Sequence, residues 1–240
     1  MNNNTIKPQL FLLHFGGGNC YSYQFMRLEL EKYFQFIPLE LPGRGKRFGE
    51  ELLFSNKQAV IDYLKQIRSM RNRAPYMIYG HSMGATLGLE VVYELEQLGD
   101  SPRGLVVTGN AGPNVKSKTR KTLYLLNDFE LKEELRAMGG VPEEVLENEE
   151  LFNFFSPILR ADFEVLEKVD NNPIGRIINT PIVAAMGDLE ETSVNIENWK
   201  NYTRGEFKFK VFKGNHFFIH DNSVELTKLI AQGYDRSLLS

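Results

Sequence analysis

The chain has 240 residues, 42% of them hydrophobic and 25% charged, with a formal net charge of −3. A chain of this length buries a core without covalent staples and fits one large α/β domain, or one domain carrying an insertion, while its charge balance offers no basic field to hold nucleic acid. A single cysteine, Cys20, excludes an intramolecular disulfide and favours a reducing, cytoplasmic setting. The stretch from Met1 to Lys7 is polar, unlike a signal peptide, and no window reaches the ~18 unbroken apolar residues of a membrane span. A cytoplasmic monomer without membrane or nucleic-acid contacts is expected.

Short apolar runs alternate with segments of helical periodicity. Strands are expected at 10–14, 34–39, 76–79, 105–108, 182–186 and 207–212. Ile61, Leu64, Ile67 and Arg68 mark one helix. Leu87, Val91, Val92, Leu95 and Leu98 mark another, ended by Gly99. Such alternation predicts an α/β fold with a mostly parallel sheet covered on both faces. From about 116 to 169 the rhythm breaks: helix-like pieces occupy 123–126, 131–138, 143–146 and 151–166, punctuated by Gly139-Gly140 and Pro142. Roughly fifty residues exceed what one crossover needs. The segment reads as a helical lid inserted into a single domain spanning 1–240.

Gly80-His81-Ser82-Met83-Gly84 matches G-x-S-x-G, a weak signal alone. Its context strengthens it: an apolar strand ends at Gly80, and a helix is expected directly after Ser82, the strand–turn–helix placement that a nucleophile elbow requires. Small neighbours let the turn close on a strained serine. The helix N-terminus behind it favours a developing oxyanion. These features predict an α/β-hydrolase fold with Ser82 as nucleophile.

Serine needs a general base. Of the four histidines, His81 lies inside the elbow and His14 ends the first strand. His216 follows the last strand, in Gly214-Asn215-His216-Phe217-Phe218, where hydrolases of chain order Ser…acid…His carry their base. His216 is therefore assigned, with His220 as the alternative. The orienting acid belongs after a late core strand. Gly187-Asp188-Leu189-Glu190 follows such a strand, so Asp188 and Glu190 both qualify. Oxyanion donors are expected from Met83 N–H, after the nucleophile, and from Phe15 or Gly16 in the glycine-rich loop Phe15-Gly16-Gly17-Gly18. That loop has neither a Walker Lys-Ser/Thr nor a spaced G-x-G-x-x-G, which argues against phosphate cradling. His216 and His220 are four apart but have no third ligand at recognisable spacing, so no metal is expected.

Several separated blocks resemble the type II thioesterases, discrete α/β-hydrolases that accompany nonribosomal peptide and polyketide synthases. The blocks are Leu13-His14-Phe15-Gly16-Gly17-Gly18, Leu41-Pro42-Gly43-Arg44-Gly45, Tyr79-Gly80-His81-Ser82-Met83-Gly84-Ala85, Gly139-Gly140-Val141-Pro142-Glu143-Glu144 with Leu159-Arg160-Ala161-Asp162, and Phe212-Lys213-Gly214-Asn215-His216-Phe217-Phe218. Generic esterases share the elbow and the late histidine but do not usually share the lid blocks. The family pattern Gly-x-x-Asp maps its acid onto Glu190, which tips the choice slightly toward that residue. Two departures, His14 for the usual proline and Asn215 for the usual glycine, lie beside the proposed site and bear on the pocket's shape.

The resemblance implies hydrolysis of acyl groups from the phosphopantetheine arm of an acyl or peptidyl carrier protein, as editing or release, through an acyl-enzyme on Ser82. It implies no cofactor, because the phosphopantetheine belongs to the partner. Met83, Phe15, Met138, Phe154 and Phe155 are candidates to line an acyl channel, though core or lid packing competes for the last three. Lys116, Lys118, Arg120 and Lys121 form a basic stretch on which an acidic carrier would dock; a solvated face is the plainer reading, as for the acidic run 143–150. Two rival readings remain: a carboxylesterase or lipase acting on oxygen esters, and a hydrolase-fold protein that binds acyl carriers without catalysis.

Overall fold

The computed structural model describes residues 7–115, 121–168 and 176–234. Its framework is a six-stranded sheet in the order β2-β1-β3-β4-β5-β6, every pairing parallel. The strands are β1 (Gln9–Leu13), β2 (Gln35–Pro38), β3 (Tyr76–His81), β4 (Leu105–Thr108), β5 (Ile182–Gly187) and β6 (Phe207–Phe212). Successive side chains leave opposite faces of a strand. Accordingly Phe11 and Leu13 join one apolar cluster while Leu10 and Leu12 join another, and Ile182, Ala184 and Met186 oppose Val183 and Ala185. Both faces are buried, which is why the inner strands read as continuous apolar runs.

The short helix α1 (Arg27–Leu30) and the C-terminal α7 (Ser223–Tyr234) cover one face. The other carries α2 (Asn56–Met70) and α3 (Met83–Gln97). Edge strand β6 stays mostly exposed and carries Lys208 and Lys210, charges of the kind that discourage edge-to-edge pairing. Strand β3 runs two residues beyond its apolar run, because Gly80 and His81 still pair with Val107 and Thr108 of β4.

Between β4 and β5 lie α4 (Asp128–Met138), α5 (Glu143–Glu147) and α6 (Glu149–Glu167). Asn127 and Glu130 form a capping box that starts α4, and Gly139 at φ 74° ends it. The Asn148 side chain accepts from Leu151 N–H to start α6. These helices share their own apolar cluster of Leu131, Leu135, Leu146, Phe152, Leu159 and Phe163. The expected helical piece at 123–126 is a single 3₁₀ turn, Leu123–Leu125. Of the basic stretch, Lys116, Lys118 and Arg120 lie outside the described residues, and Lys121 pairs with Glu134 at 2.6 Å. Among the described residues, no helix is long and apolar enough to cross a membrane.

Candidate active site

Ser82 sits between β3 and α3 at φ 54° and ψ −110°, a conformation that costs a non-glycine residue on the order of 1–3 kcal/mol. Its N–H donates to the Thr108 carbonyl at 2.8 Å, which ties the turn to β4. Although Ser82 occupies the N-cap of α3, its side chain makes no capping hydrogen bond. Both motif glycines are steric requirements. A Cβ on Gly80 would overlap the Gly84 carbonyl, and one on Gly84 would overlap the Leu13 carbonyl. The backbone of α3 therefore approaches β1 and β3 as closely as glycine permits.

His216 lies past β6, on the loop leading to α7. Its Nδ1–H donates to Glu190 Oε2 at 2.7 Å. Glu190 Oε1 accepts from Gly187 N–H at 2.8 Å, so the carboxylate is held at both oxygens. Asp188 faces elsewhere: it accepts from Lys213 Nζ at 2.6 Å and from Gly214 N–H at 3.0 Å. The Lys213 ammonium, aided by that N–H, holds the Asp188 carboxyl below the usual aspartate range. Of the two carboxylates left open by the sequence, the structure brings Glu190 to His216, and Asp188 braces the loop that carries the histidine.

Ser82, His216, Phe15, Gly16 and Gly17 share the wall of one cavity of about 140 Å³ with residues of α4, α5 and α6. The helices contribute Leu135, Met138, Val145, Phe155, Leu159 and Phe163, which make the wall largely apolar. Of the residues proposed from the sequence to line an acyl channel, Phe15, Met138 and Phe155 line this cavity. Met83 and Phe154 do not. Met83 points into the core on the α2–α3 side of the sheet, and Phe154 is 52% exposed and stacks on Phe48. Helical phase explains Phe154: its neighbour Phe155 takes the inward position. As the first residue of α3, Met83 has an N–H with no preceding helical carbonyl to receive it. A departure from the family pattern also lies off the wall: His14 is fully buried beneath the glycine-rich loop. Asn215, the other, accepts from Phe217 N–H at 2.9 Å and turns the chain beside His216.

The remaining histidines have other surroundings. His81 is fully buried, and its ring centroid lies 4.9 Å from that of His216. Burial, then the neighbouring His216 and His220, pushes His81 well below the ordinary histidine range, so it remains neutral. Its Nδ1 shares a hydrogen bond with Thr108 Oγ1 at 2.9 Å. His220 packs against Phe25 and Phe217 outside the cavity. Among the described residues, no three His, Cys, Asp or Glu side chains gather as a metal would require. The packing of His81 behind His216 is invisible to sequence spacing, since it depends on the sheet fold that brings the loop after β6 over the ends of β3 and β4, where Gly109 leaves room for both rings.

Chemically, the arrangement supplies a hydroxyl on a strained turn and an imidazole whose Nδ1–H is committed to a carboxylate. Nε2 is then the basic nitrogen of a ring that lines the cavity. These parts suit acyl transfer.

The sequence model of the Thioesterase domain family matches residues 8–233. The gramicidin S biosynthesis protein GrsT of Aneurinibacillus migulanus is 29% identical over 237 residues, covering 96% of this chain and 90% of its own. Among solved structures, ClbQ from the colibactin NRPS/PKS pathway superposes with a TM-score of 0.87 at 27% identity, covering 97% of this chain and 98% of its own. BorB, the type II thioesterase from the borrelidin biosynthetic cluster, gives 0.85 at 30% identity, covering 96% and 94%. With the match running through nearly the whole α/β-hydrolase framework, the chain belongs to the thioesterase domain family, hydrolases of thioesters.

Proposed function

We propose that the chain hydrolyses acyl groups from the phosphopantetheine arm of an acyl or peptidyl carrier protein, with Ser82, His216 and Glu190 as its catalytic triad. The observation that carries this reading is the 2.7 Å Glu190–His216 hydrogen bond beside a cavity that also holds the strained Ser82. In this reading His216 Nε2 takes the Ser82 proton and Ser82 Oγ attacks the thioester carbonyl. The pantetheine thiol leaves with the proton, and water activated by His216 then releases the acid. Met83 N–H and the N–H of Phe15 or Gly16 receive the oxyanion. Relatives named for NRPS/PKS pathways support a carrier-bound substrate and an editing or release task.

Helices α4 to α6 act as a lid on one α/β-hydrolase domain. Their separate apolar cluster and their share of the cavity wall support this. The lone buried Cys20 suits a reducing cytoplasm.

Intact mass spectrometry of acylated carrier proteins tests the reading. Native enzyme is expected to restore the free phosphopantetheine thiol, and Ser82→Ala is not. Aryl esters cleaved in preference to carrier thioesters would point to an esterase. Failure of a fluorophosphonate to label Ser82 would point to a non-catalytic binder.

A further inference from the structure

Away from the triad lies a buried ion pair that the proposed mechanism does not use. Arg44, in the loop after β2, meets Asp162 of α6 through two parallel bonds, Nη1 to Oδ2 at 2.5 Å and Nη2 to Oδ1 at 2.8 Å. The side chains are only 3% and 1% exposed. Burying two charges is expensive, and apolar residues of similar volume often serve stability as well or better. Stability alone therefore gives a weak reason for the pair. A third contact supplies a stronger one: Asp162 Oδ2 also accepts from Gly17 N–H at 2.7 Å.

Gly17 belongs to the glycine-rich loop beside Ser82. Its backbone is at φ 75°, and a Cβ there would strike Leu159 of α6. The preceding peptide is pinned separately: the Phe15 carbonyl accepts from Gly18 N–H at 2.9 Å and from His14 Nδ1–H at 2.8 Å. A peptide is planar and trans, so fixing the Phe15 carbonyl fixes the Gly16 N–H on its opposite side. Asp162 in turn fixes the Gly16–Gly17 peptide. Together these anchors set the conformation of the segment that provides the second oxyanion donor.

We propose that Asp162, held in place by Arg44, is a positioning residue: it fixes the Gly16–Gly17 peptide so that the oxyanion donors of this loop are preorganised. The inference rests on the thioesterase reading above. Asp162 acts through backbone and touches no reacting atom. Preorganised donors stabilise the transition state more than the ground state, so their misplacement lowers kcat and leaves KM largely intact.

Two double variants separate positioning from packing. Arg44→Met with Asp162→Asn removes both charges but keeps an oxygen acceptor for Gly17 N–H. Arg44→Met with Asp162→Leu removes both charges and the acceptor. The readouts are kcat and KM on S-acetyl-N-acetylcysteamine, with thermal unfolding as the check on folding. The asparagine version is expected to recover kcat to within about threefold of the parent, and the leucine version to lose at least about tenfold, both with KM within about threefold. Equal kcat in the two variants, or a leucine-variant loss confined to KM, overturns the proposal. If the leucine version does not fold, Arg44→Met with Asp162→Ala is read in the same way. If the parent cleaves no thioester, the thioesterase reading is what fails. The rate of Ser82 phosphonylation by a fluorophosphonate then compares the same variants, because the phosphoryl oxygen occupies the oxyanion position, and equal rates overturn the proposal there.

Discussion

Glu190 accepts from His216 Nδ1–H at 2.7 Å while its other oxygen is anchored by Gly187 N–H at 2.8 Å. A glutamine there would set an amide against the imidazole. If its N–H₂ faces Nδ1, the ring must shift its proton to Nε2, and the base is lost. Glu190→Gln is therefore expected to lower kcat by about 10²–10⁴, judged by the loss typical of a wrong tautomer in such a triad. Asp188→Asn keeps an oxygen for Gly214 N–H and forfeits mainly an ion pair with a lysine side chain that is 95% exposed. Its effect on kcat should stay within about threefold. Steady-state kinetics on one acyl thioester decides between them, and the reverse ranking would reassign the acid.

The elbow makes a steric prediction. An added methyl at Gly80 or Gly84 meets backbone, which cannot swing aside as a side chain can. Gly80→Ala and Gly84→Ala should each destabilise by roughly 1–3 kcal/mol or more and displace Ser82. At Gly49 nothing lies within 4 Å of where an added methyl would sit, so Gly49→Ala should remain within about 0.5 kcal/mol of the parent. Urea unfolding of the three variants checks this contrast, and a Gly84→Ala protein of parental stability would contradict the packing described.

Legibility in the sequence followed physical cause. Strands β3, β4 and β5 could be read because burial on both faces demands unbroken apolar runs. The elbow could be read because its glycines answer a local steric need. The acid was harder: Asp188 and Glu190 are two residues apart in one turn, and only the packing of Gly187 against the 214–215 backbone determines which faces His216. Met83 failed as a channel residue because the helix that begins there carries its side chain into the core. Arg44 and Asp162 meet across 118 residues of sequence, and no local pattern carries a pairing over that distance.

The cavity wall predicts how acyl length is read. Met138, half-buried at the end of α4, contributes a flexible side chain to a space of about 140 Å³. Met138→Ala should lengthen the space and raise kcat/KM for a hexanoyl thioester relative to an acetyl one by up to about tenfold, since each methylene in an apolar pocket is worth roughly 1–3 kcal/mol. Val145→Phe, on α5, should shift the ratio the other way. Competition between the two thioesters, followed by chromatography, gives the ratio directly. An unchanged ratio in both variants would remove this cavity as the acyl site.

His14 predicts a pH dependence of stability. Its Nδ1–H donates to the Phe15 carbonyl at 2.8 Å, so Nε2 is the acceptor for Leu41 N–H at 3.2 Å. Burial first, then the nearby Arg44 cation, lowers its pKa from 6.5 to about 4. Between those values the unfolded chain binds a proton that the folded chain refuses, so stability rises with pH across this window. The contribution is fully present above about 6.5 and is lost as pH falls toward 4, an effect of about 3 kcal/mol. His14→Gln can still offer an oxygen to Leu41 N–H but has no proton to gain. Between pH 7.5 and 4.5 the parent should therefore lose about 2–3 kcal/mol more than the variant in urea unfolding. The buried His81 titrates in the same sense in both proteins and cancels from the comparison. Equal losses would mean that His14 carries its proton in the folded state; Nδ1–H would still donate to the Phe15 carbonyl, but Nε2 would no longer be free to accept from Leu41 N–H, and that acceptor role would have to be abandoned.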